Sequence, residues 1–257
     1  MTVEGTLTNR STIITGAAGG IGRTAALLFA TAGARLTLTD RDASRGRETL
    51  DQVLAAGGSA QFLGGDISSE LFVEHVIGSA VDTSGRLDCA FNNADIISDL
   101  AEPVGNFSLA EWDRVIRVNL TSVFLCMKYE TRAMLQSGGG AIVNTSSALG
   151  QVGQYNMPAY SASKAGVLGL TRATALDYAT NNIRVNAIMP GVIETPMTKE
   201  GVFVKVPGLE EILLAQHPIG RFGQPEEVAN VALFLCSGAA SYVTGHALAV
   251  DGANMAI

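Results

Sequence analysis

The sequence predicts an α/β domain in which a doubly wound parallel sheet of about seven strands carries helices on both faces. Short apolar segments rich in β-branched residues alternate with longer amphipathic segments of helical periodicity. Of the 257 residues, 47% are hydrophobic and 16% are charged, which is enough apolar surface for a large core. No composition break or repeat divides the sequence. Residues 1–257 are therefore expected to form a single domain.

The elements follow from these patterns in order. Short apolar segments bounded by turn-forming residues predict strands at Ser11–Thr15, Arg35–Thr39, Ala60–Gly64, Leu87–Phe91, Ala141–Thr145, Arg184–Ile188 and Ala247–Val250. Helical periodicity predicts helices at Ile21–Ala32, Ala43–Ala56, Ser69–Thr83, near Leu109–Gln136, Ala159–Ala179 and Pro225–Ser237. Right-handed crossovers bring the carboxyl ends of the strands to one edge, where ligands bind in such sheets.

A glycine-rich segment follows the first predicted strand and opens the first helix. It reads Thr15-Gly16-Ala17-Ala18-Gly19-Gly20-Ile21-Gly22. Glycine permits a tight turn and lets the backbone approach a pyrophosphate, and the helix N-terminus adds free N–H groups. A glycine-rich loop alone is weak evidence. Its position between a strand and a helix, with an acidic residue downstream, is typical of a Rossmann-type dinucleotide site.

Asp40 ends the second predicted strand, where a carboxylate can bind the adenosine ribose hydroxyls and repel a 2′-phosphate. Capping of the next helix is the alternative role, but Asp42 fits it better. Arg41 could hold a phosphate, yet residues 17–20 contain no Lys or Arg, so NAD is the predicted cofactor. Asp66, after the third strand, is either an adenine contact or a helix cap, and its chemistry does not separate the two.

Tyr160 and Lys164 are four residues apart and project from one helix face. An ammonium beside a phenol favours the phenolate, so this pair predicts a lowered tyrosine pKa and an acid/base role near neutral pH. Such a pair alone is frequently an exposed helix pair. Ser147 follows a predicted buried strand at the same sheet edge, where its hydroxyl can hold a substrate oxygen. Ser146 is the competing serine and is expected to face the other way.

These residues resemble the short-chain dehydrogenase/reductase family, of the classical type, over nearly the whole chain. The shared motifs occur in the family's order: Thr15-Gly-x-x-x-Gly-x-Gly22, Asn92-Asn93-Ala94, Asn119, Ser147, Tyr160-x-x-x-Lys164 and Pro190-Gly191. The resemblance implies an NAD-dependent oxidoreductase that interconverts a secondary alcohol and a ketone.

The resemblance also implies a role for each motif residue. Tyr160 would be the general acid/base, and Lys164 would bind the nicotinamide ribose and lower the Tyr160 pKa. Ser147 would orient and polarise the substrate oxygen. Asn119 would bend its helix and hold a water in a proton relay through Lys164. Asn92 and Ala94 would line the cofactor. The complete predicted cofactor site comprises Gly16, Gly20, Ile21, Gly22, Asp40, Asp66, Ile67, Asn93, Ala94, Tyr160, Lys164, Pro190, Ile193 and Thr195.

One position departs from the family. Asp95 stands where glycine or alanine usually follows the Asn-Asn-Ala motif. Its charge could weaken nucleotide binding or favour a cationic or hydroxylated substrate. The preferred interpretation is that Asp95 points away from the site and caps the loop. Because the motif residues before it are intact, an active enzyme is still expected.

The resemblance implies a substrate wall formed by residues 150–158 and by a lid near 196–216. These segments contain Gln151, Val152, Gln154, Tyr155, Asn156, Met157, Met197, Val202, Phe203, Val204, Val206, Leu209, Ile212 and Leu213. If these side chains face the site, the pocket is mostly apolar and suits a hydrophobic or alicyclic substrate. Plain packing of a lid is the alternative. Similar proteins are homotetramers, so two long helices and the C-terminal segment are expected to contact other copies.

Composition excludes other classes. A net charge of −7 without a Lys/Arg cluster argues against nucleic-acid binding. The three cysteines have no metal or CxxC spacing, so no metal site is predicted and buried thiols in a reducing compartment are expected. No apolar segment has the length of a bilayer span, and residues 1–10 lack a signal-peptide pattern. A cytoplasmic protein without membrane contact is expected.

Three alternatives remain. A 3-oxoacyl-carrier-protein-type reductase is disfavoured because the predicted wall has no basic cluster to bind a carrier arm. A non-catalytic NAD-binding protein would lack Ser147, Tyr160 or Lys164, and all three are present. An enoyl reductase of the related branch would need a wider spacing between tyrosine and lysine.

Overall fold

The computed structural model describes residue 3 and residues 5–99, 101–203 and 208–256, without the side chains of residues 201 and 202. Seven strands form one parallel sheet in the order β3-β2-β1-β4-β5-β6-β7. Their bounds are β1 Ser11–Thr15, β2 Arg35–Asp40, β3 Ser59–Gly64, β4 Cys89–Asn92, β5 Gly140–Thr145, β6 Ile183–Pro190 and β7 Ala247–Val250. The predicted fold class is confirmed. That residues 1–257 form a single domain stays a prediction.

The helices lie on both faces of this sheet. They are α1 Gly20–Thr31, α2 Ala43–Ala55, α3 Glu70–Ser84, α4 Leu109–Ile116, α5 Ser122–Ser137, α6 Pro158–Tyr178, α7 Leu209–Ala215 and α8 Pro225–Cys236. The first predicted long helix is two helices, because a π-helical turn at Arg117–Thr121 joins α4 to α5. The predicted lid is a π-helical segment, Met197–Val202, and then α7. No described helix is both long enough and apolar enough to cross a bilayer.

Both faces of the sheet are covered by apolar side chains. Ile13 and Ile14 are adjacent in β1 and both are fully buried, but they belong to different clusters. Ile14 packs with Phe29 of α1 and Val228 of α8, and Ile13 packs in the cluster that contains Val123 of α5. Because side chains alternate along a strand, a strand covered on both faces is continuously apolar in sequence. The carboxyl edge is left open for ligands.

Candidate active site

A cavity of about 980 Å³ lies along the carboxyl edge of the sheet. It is lined by residues that follow all seven strands, from the glycine-rich loop after β1 to Asn254 after β7. Most of the predicted site residues line it: Gly16, Gly20, Ile21, Asp40, Asp66, Ile67, Asn93, Ala94, Ser147, Tyr160, Pro190, Ile193 and Thr195. Gly22, Asn119 and Lys164 are not among the lining residues, and they contact the lining segments from behind.

The glycine-rich loop has the geometry that a diphosphate needs. Gly16 and Gly20 have φ angles of +70° and +52°, which favour glycine because a Cβ is strained there. A Cβ on Gly22 would lie 2.0 Å from the carbonyl oxygen of Gly16, so only glycine permits this close approach of α1 to the loop. Helix α1 has no side-chain cap at Gly19, which leaves its first N–H groups free for an anion.

Asp40 lies beside this loop with part of its hydrogen-bonding capacity in use. Its carboxylate accepts from the backbone N–H groups of Ala18 and Asp42, both at 2.9 Å. A carboxylate has about four lone-pair positions, so acceptor capacity for ribose hydroxyls remains. Asp42 caps α2 by accepting from the Arg45 N–H, as its sequence position indicated.

Basic groups also reach this end of the cavity. Arg41 and Arg45 both line it, and the Arg45 guanidinium lies 3.1 Å from the position of a Cβ on Gly19. From the sequence, Arg41 was expected as a possible phosphate ligand, and Arg45 was not considered. The fold brings Arg45 to the loop from α2, five residues after β2 ends at Asp40.

The segments after the third and fourth strands place predicted cofactor residues in the cavity, among them Asp66 and Asn93. Asp66 lines the cavity and accepts from the Ser68 N–H, while Ser69 occupies the N-cap position of α3, so the capping alternative for Asp66 is wrong. Asn93 lines the cavity and donates to the carbonyl oxygen of Thr15, which ties the β4 loop to the glycine-rich loop.

Asn92 was expected to line the cofactor, but it is not among the residues that line the cavity. It is buried, and its amide donates to Asn144 and Glu130, each at 3.0 Å. Glu130 is fully buried in α5, and desolvation raises its pKa to about 8. Because Asn92 is a residue of a strand covered on both faces, its side chain joins β4 to β5 and α5 rather than reaching the edge.

Three of the four predicted catalytic side chains, those of Ser147, Tyr160 and Lys164, lie together at one end of the cavity, and the fourth, Asn119, lies behind it. Ser147 and Tyr160 line it, and the Lys164 ammonium lies 5.3 Å from the centre of the Tyr160 ring. Lys164 is buried and donates to the carbonyl oxygen of Thr145 at 3.1 Å. Ser146 also lines the cavity, contrary to expectation, but its hydroxyl donates to the carbonyl oxygen of Lys164. Both serines after β5 therefore line the cavity, and the Ser146 hydroxyl also holds α6.

Asp95 does not point away from the site, so the preferred interpretation of this position is wrong. Its Oδ2 accepts from the Lys164 ammonium at 2.7 Å and from the Tyr160 hydroxyl at 3.4 Å. The backbone after β4 aims this side chain into the cavity, which it lines. No periodicity or spacing in the sequence indicates such a contact, because the partners are 65 and 69 residues apart.

The pKa of Tyr160 is raised well above its ordinary value in this arrangement, contrary to the expectation from the tyrosine–lysine pair. Burial is the main cause, and the negative charge of Asp95 adds to it, whereas the hydrogen bond with Ser147 acts in the opposite direction. The Lys164 charge that was expected to lower the pKa is paired with Asp95.

Asn119 lies in the π-helical turn, so the helix is deformed where a bend was expected. Its amide donates to the carbonyl oxygen of Ile96 at 2.8 Å, and its Oδ1 accepts from the Ile96 N–H at 2.9 Å. These two bonds fix the loop that carries Asp95. The water relay through Lys164 stays a prediction.

The substrate wall is partly as expected. Gln154, Met157, Met197, Phe203, Leu209 and Leu213 line the cavity. Gln151, Val152, Tyr155, Asn156 and Ile212 are not among the lining residues, and Tyr155 is 92% exposed. The Val202 side chain, Val204 and Val206 lie outside the described part of the chain. The cavity is also lined by residues that the sequence did not indicate, among them Ile96, Ile97, Arg114, Arg117, Leu149 and His217.

Comparison with known proteins agrees with this geometry. A family model described as enoyl-(acyl carrier protein) reductase matches residues 16–253. Cyclohexanol dehydrogenase of Acinetobacter sp. (strain SE19) is 43% identical over 246 residues, covering 95% of this chain and 94% of the relative. Cis-4-hydroxycyclohexanecarboxylate dehydrogenase of Sinomonas cyclohexanicum is 43% identical over 249 residues, covering 96% and 97%. The crystal structure of levodione reductase superposes with a TM-score of 0.92 at 36% identity, covering 97% and 99%.

The fold, the cavity and these likenesses define an oxidoreductase that uses a nicotinamide cofactor. The chain belongs to the short-chain dehydrogenase/reductase family and is one of its alcohol dehydrogenases.

Proposed function

We propose that this enzyme interconverts a secondary alcohol and a ketone on an alicyclic ring, with NAD as its cofactor. The observation that carries the proposal is that Ser147 and Tyr160 line the same cavity as the glycine-rich loop and Asp40. The free N–H groups of α1 would bind the diphosphate. The Asp40 carboxylate would bind the adenosine ribose and disfavour a 2′-phosphate.

The chain's own residues would manage the proton and the substrate oxygen. When bound, a nicotinamide ring supplies the hydride acceptor for an alcohol or the hydride donor for a ketone. In the oxidation, the Tyr160 phenolate takes the proton from the alcohol hydroxyl, and in the reduction the Tyr160 phenol returns it. Ser147 donates to the substrate oxygen and stabilises the charge that develops there. Lys164, which already donates to the Thr145 carbonyl oxygen, would donate to the nicotinamide ribose hydroxyls.

The substrate class is supported by the wall and by the relatives. Met157, Leu209 and Leu213 give the cavity an apolar side. Arg114 lines it too, but its guanidinium is already paired with Glu111 and Asp99. A neutral ring therefore fits better than a phosphorylated or carrier-bound chain. The named relatives act on cyclohexanol and on a hydroxycyclohexanecarboxylate, and the superposed structure is a levodione reductase.

The test is a turnover assay that follows nicotinamide absorbance. Purified protein is mixed with NAD or NADP and with cyclohexanol, cyclohexanediols, linear secondary alcohols and a 3-hydroxyacyl thioester. We expect NAD-dependent turnover on the ring alcohols and little on the others. Preference for the thioester would instead support a 3-oxoacyl-type reductase. Tight NADH binding without turnover on any substrate would favour the non-catalytic alternative.

We infer further that four copies of the chain assemble. Phe124 on α5 and Leu176 on α6 are 48% and 82% exposed, so both long helices carry uncovered apolar side chains. Packing against symmetry mates would bury them. Light scattering of the purified protein should give the mass of four chains, and the mass of one chain would contradict this assembly. A cytoplasmic location is part of the same proposal.

A further inference from the structure

An acidic side chain, that of Asp95, lies within the group of predicted catalytic residues. Asp95 contacts both Lys164 and Tyr160 through one carboxylate oxygen, at 2.7 Å and 3.4 Å. The Lys164 side chain is 1% exposed and that of Asp95 is 18% exposed, so water screens this ion pair weakly. The Lys164 ammonium has three N–H donors, of which Asp95 and Thr145 use two.

The position of Asp95 is fixed from both sides. On one side, the N–H groups of Asn93 and Ala94 both donate to the Thr15 hydroxyl at 3.0 Å. On the other side, Asn119 holds both backbone polar groups of Ile96. These bonds fix the backbone on both sides of Asp95, and the bond with Lys164 holds its carboxylate in the cavity.

We propose that Asp95 is a positioning residue for the acid/base step, whose carboxylate pairs with Lys164 and so sets the pH range in which Tyr160 loses its proton. This inference rests on the proposed role of Tyr160. A lysine charge that is not paired would favour the phenolate of a neighbouring tyrosine. Here the ion pair neutralises that charge and places a negative charge beside the hydroxyl.

The surroundings of Tyr160 leave Asp95 as the charge that acts on it. On its own helix, Lys164 is paired with Asp95. Four other charged or titratable side chains line the cavity here: Arg114, Arg117, Glu200 and His217. Of these, Arg114 is paired with Glu111 and Asp99. Among charged groups, Asp95 is the one that raises the pKa of Tyr160, in the same direction as burial.

The consequence differs between the two reaction directions. Oxidation needs the phenolate, so its rate rises with pH until Tyr160 is ionised, and a raised pKa moves this rise to alkaline pH. Reduction needs the phenol, so a raised pKa keeps reduction active to higher pH. Replacing Asp95 by a neutral residue removes a negative charge and frees Lys164, and both changes favour the phenolate.

The test is a tyrosinate titration of the protein without cofactor or substrate. Wild type and Asp95→Asn are each titrated by ultraviolet absorbance, and the curve of the same protein carrying Tyr160→Phe is subtracted, which isolates Tyr160. We expect the Tyr160 midpoint of Asp95→Asn to lie about 1–3 pH units below that of wild type. The proposal is overturned if the midpoints coincide, or if Tyr160 stays protonated in the variant to as high a pH as in wild type.

The matched control is Asp99→Asn, the same substitution four residues away on the same loop. The Asp99 side chain is 67% exposed and pairs with Arg114, so its loss should leave the Tyr160 midpoint unchanged. Asp95→Ala replaces Asp95→Asn if circular dichroism shows that the asparagine variant is unfolded.

In oxidation assays, the alkaline rise of kcat/KM should shift by the same amount as the midpoint. A shifted midpoint without turnover on any alcohol would contradict the proposed function but support the role of Asp95. Turnover with coincident midpoints would support the proposed function but contradict the role of Asp95.

Discussion

Tyr160→Phe is expected to lower kcat by about 10²–10⁴-fold, the usual contribution of a positioned acid/base group. The substitution removes one hydroxyl and leaves the ring, so the cavity keeps its shape. Ser147 still lines the cavity and the glycine-rich loop is untouched. NADH binding, measured by fluorescence titration, should therefore change little. The comparison needs kcat at saturating alcohol and the Kd of NADH for both proteins.

The matched control for this prediction is Tyr155→Phe, the same substitution five residues earlier in the chain. Tyr155 is 92% exposed and does not line the cavity, so its variant should retain wild-type turnover. Retained turnover in Tyr160→Phe would remove Tyr160 from the acid/base role. A loss of NADH binding of similar size would show instead that the substitution disrupts the cofactor site.

Asp40→Ala is expected to lower the ratio of kcat/KM for NAD to kcat/KM for NADP by about 100-fold. The carboxylate would bind ribose hydroxyls, and hydrogen bonds to charged groups contribute about 1.5–3 kcal/mol each. Its removal also ends the repulsion of a 2′-phosphate, while Arg41 and Arg45 line the same part of the cavity. NADP use should therefore rise as NAD use falls.

Asp42→Ala separates this effect from local damage to the loop. Asp42 caps α2, and loss of such a cap costs about 1 kcal/mol of stability. It is therefore expected to lower the melting temperature slightly without changing the preference for NAD. An unchanged cofactor ratio in Asp40→Ala would make the ribose assignment wrong, whatever happens to the overall activity.

The sequence was sufficient for the fold and for most of the predicted residues that line the cavity. Short segments rich in apolar and β-branched residues, bounded by turn-forming residues, indicated each strand of the sheet within a few residues of its observed bounds. The glycine-rich loop was equally visible, because the close approach of Gly22 to the Gly16 carbonyl oxygen excludes every other residue type. Tyr160 and Lys164 were paired correctly, since helical periodicity fixes which residues share a face.

What the sequence by itself determined are the properties that depend on short-range periodicity and on residue type: the strands, the helices, the loop and the residues that meet at the sheet edge. The tertiary structure decided the contacts between segments far apart in the chain. It brought Asp95 to Lys164 and Tyr160, Arg45 to the glycine-rich loop, and Asn92 to Glu130 instead of the cofactor site. These contacts depend on backbone direction after a strand and on packing between layers, and neither leaves a periodic signal in the sequence. The charge around Tyr160 therefore became visible only in three dimensions.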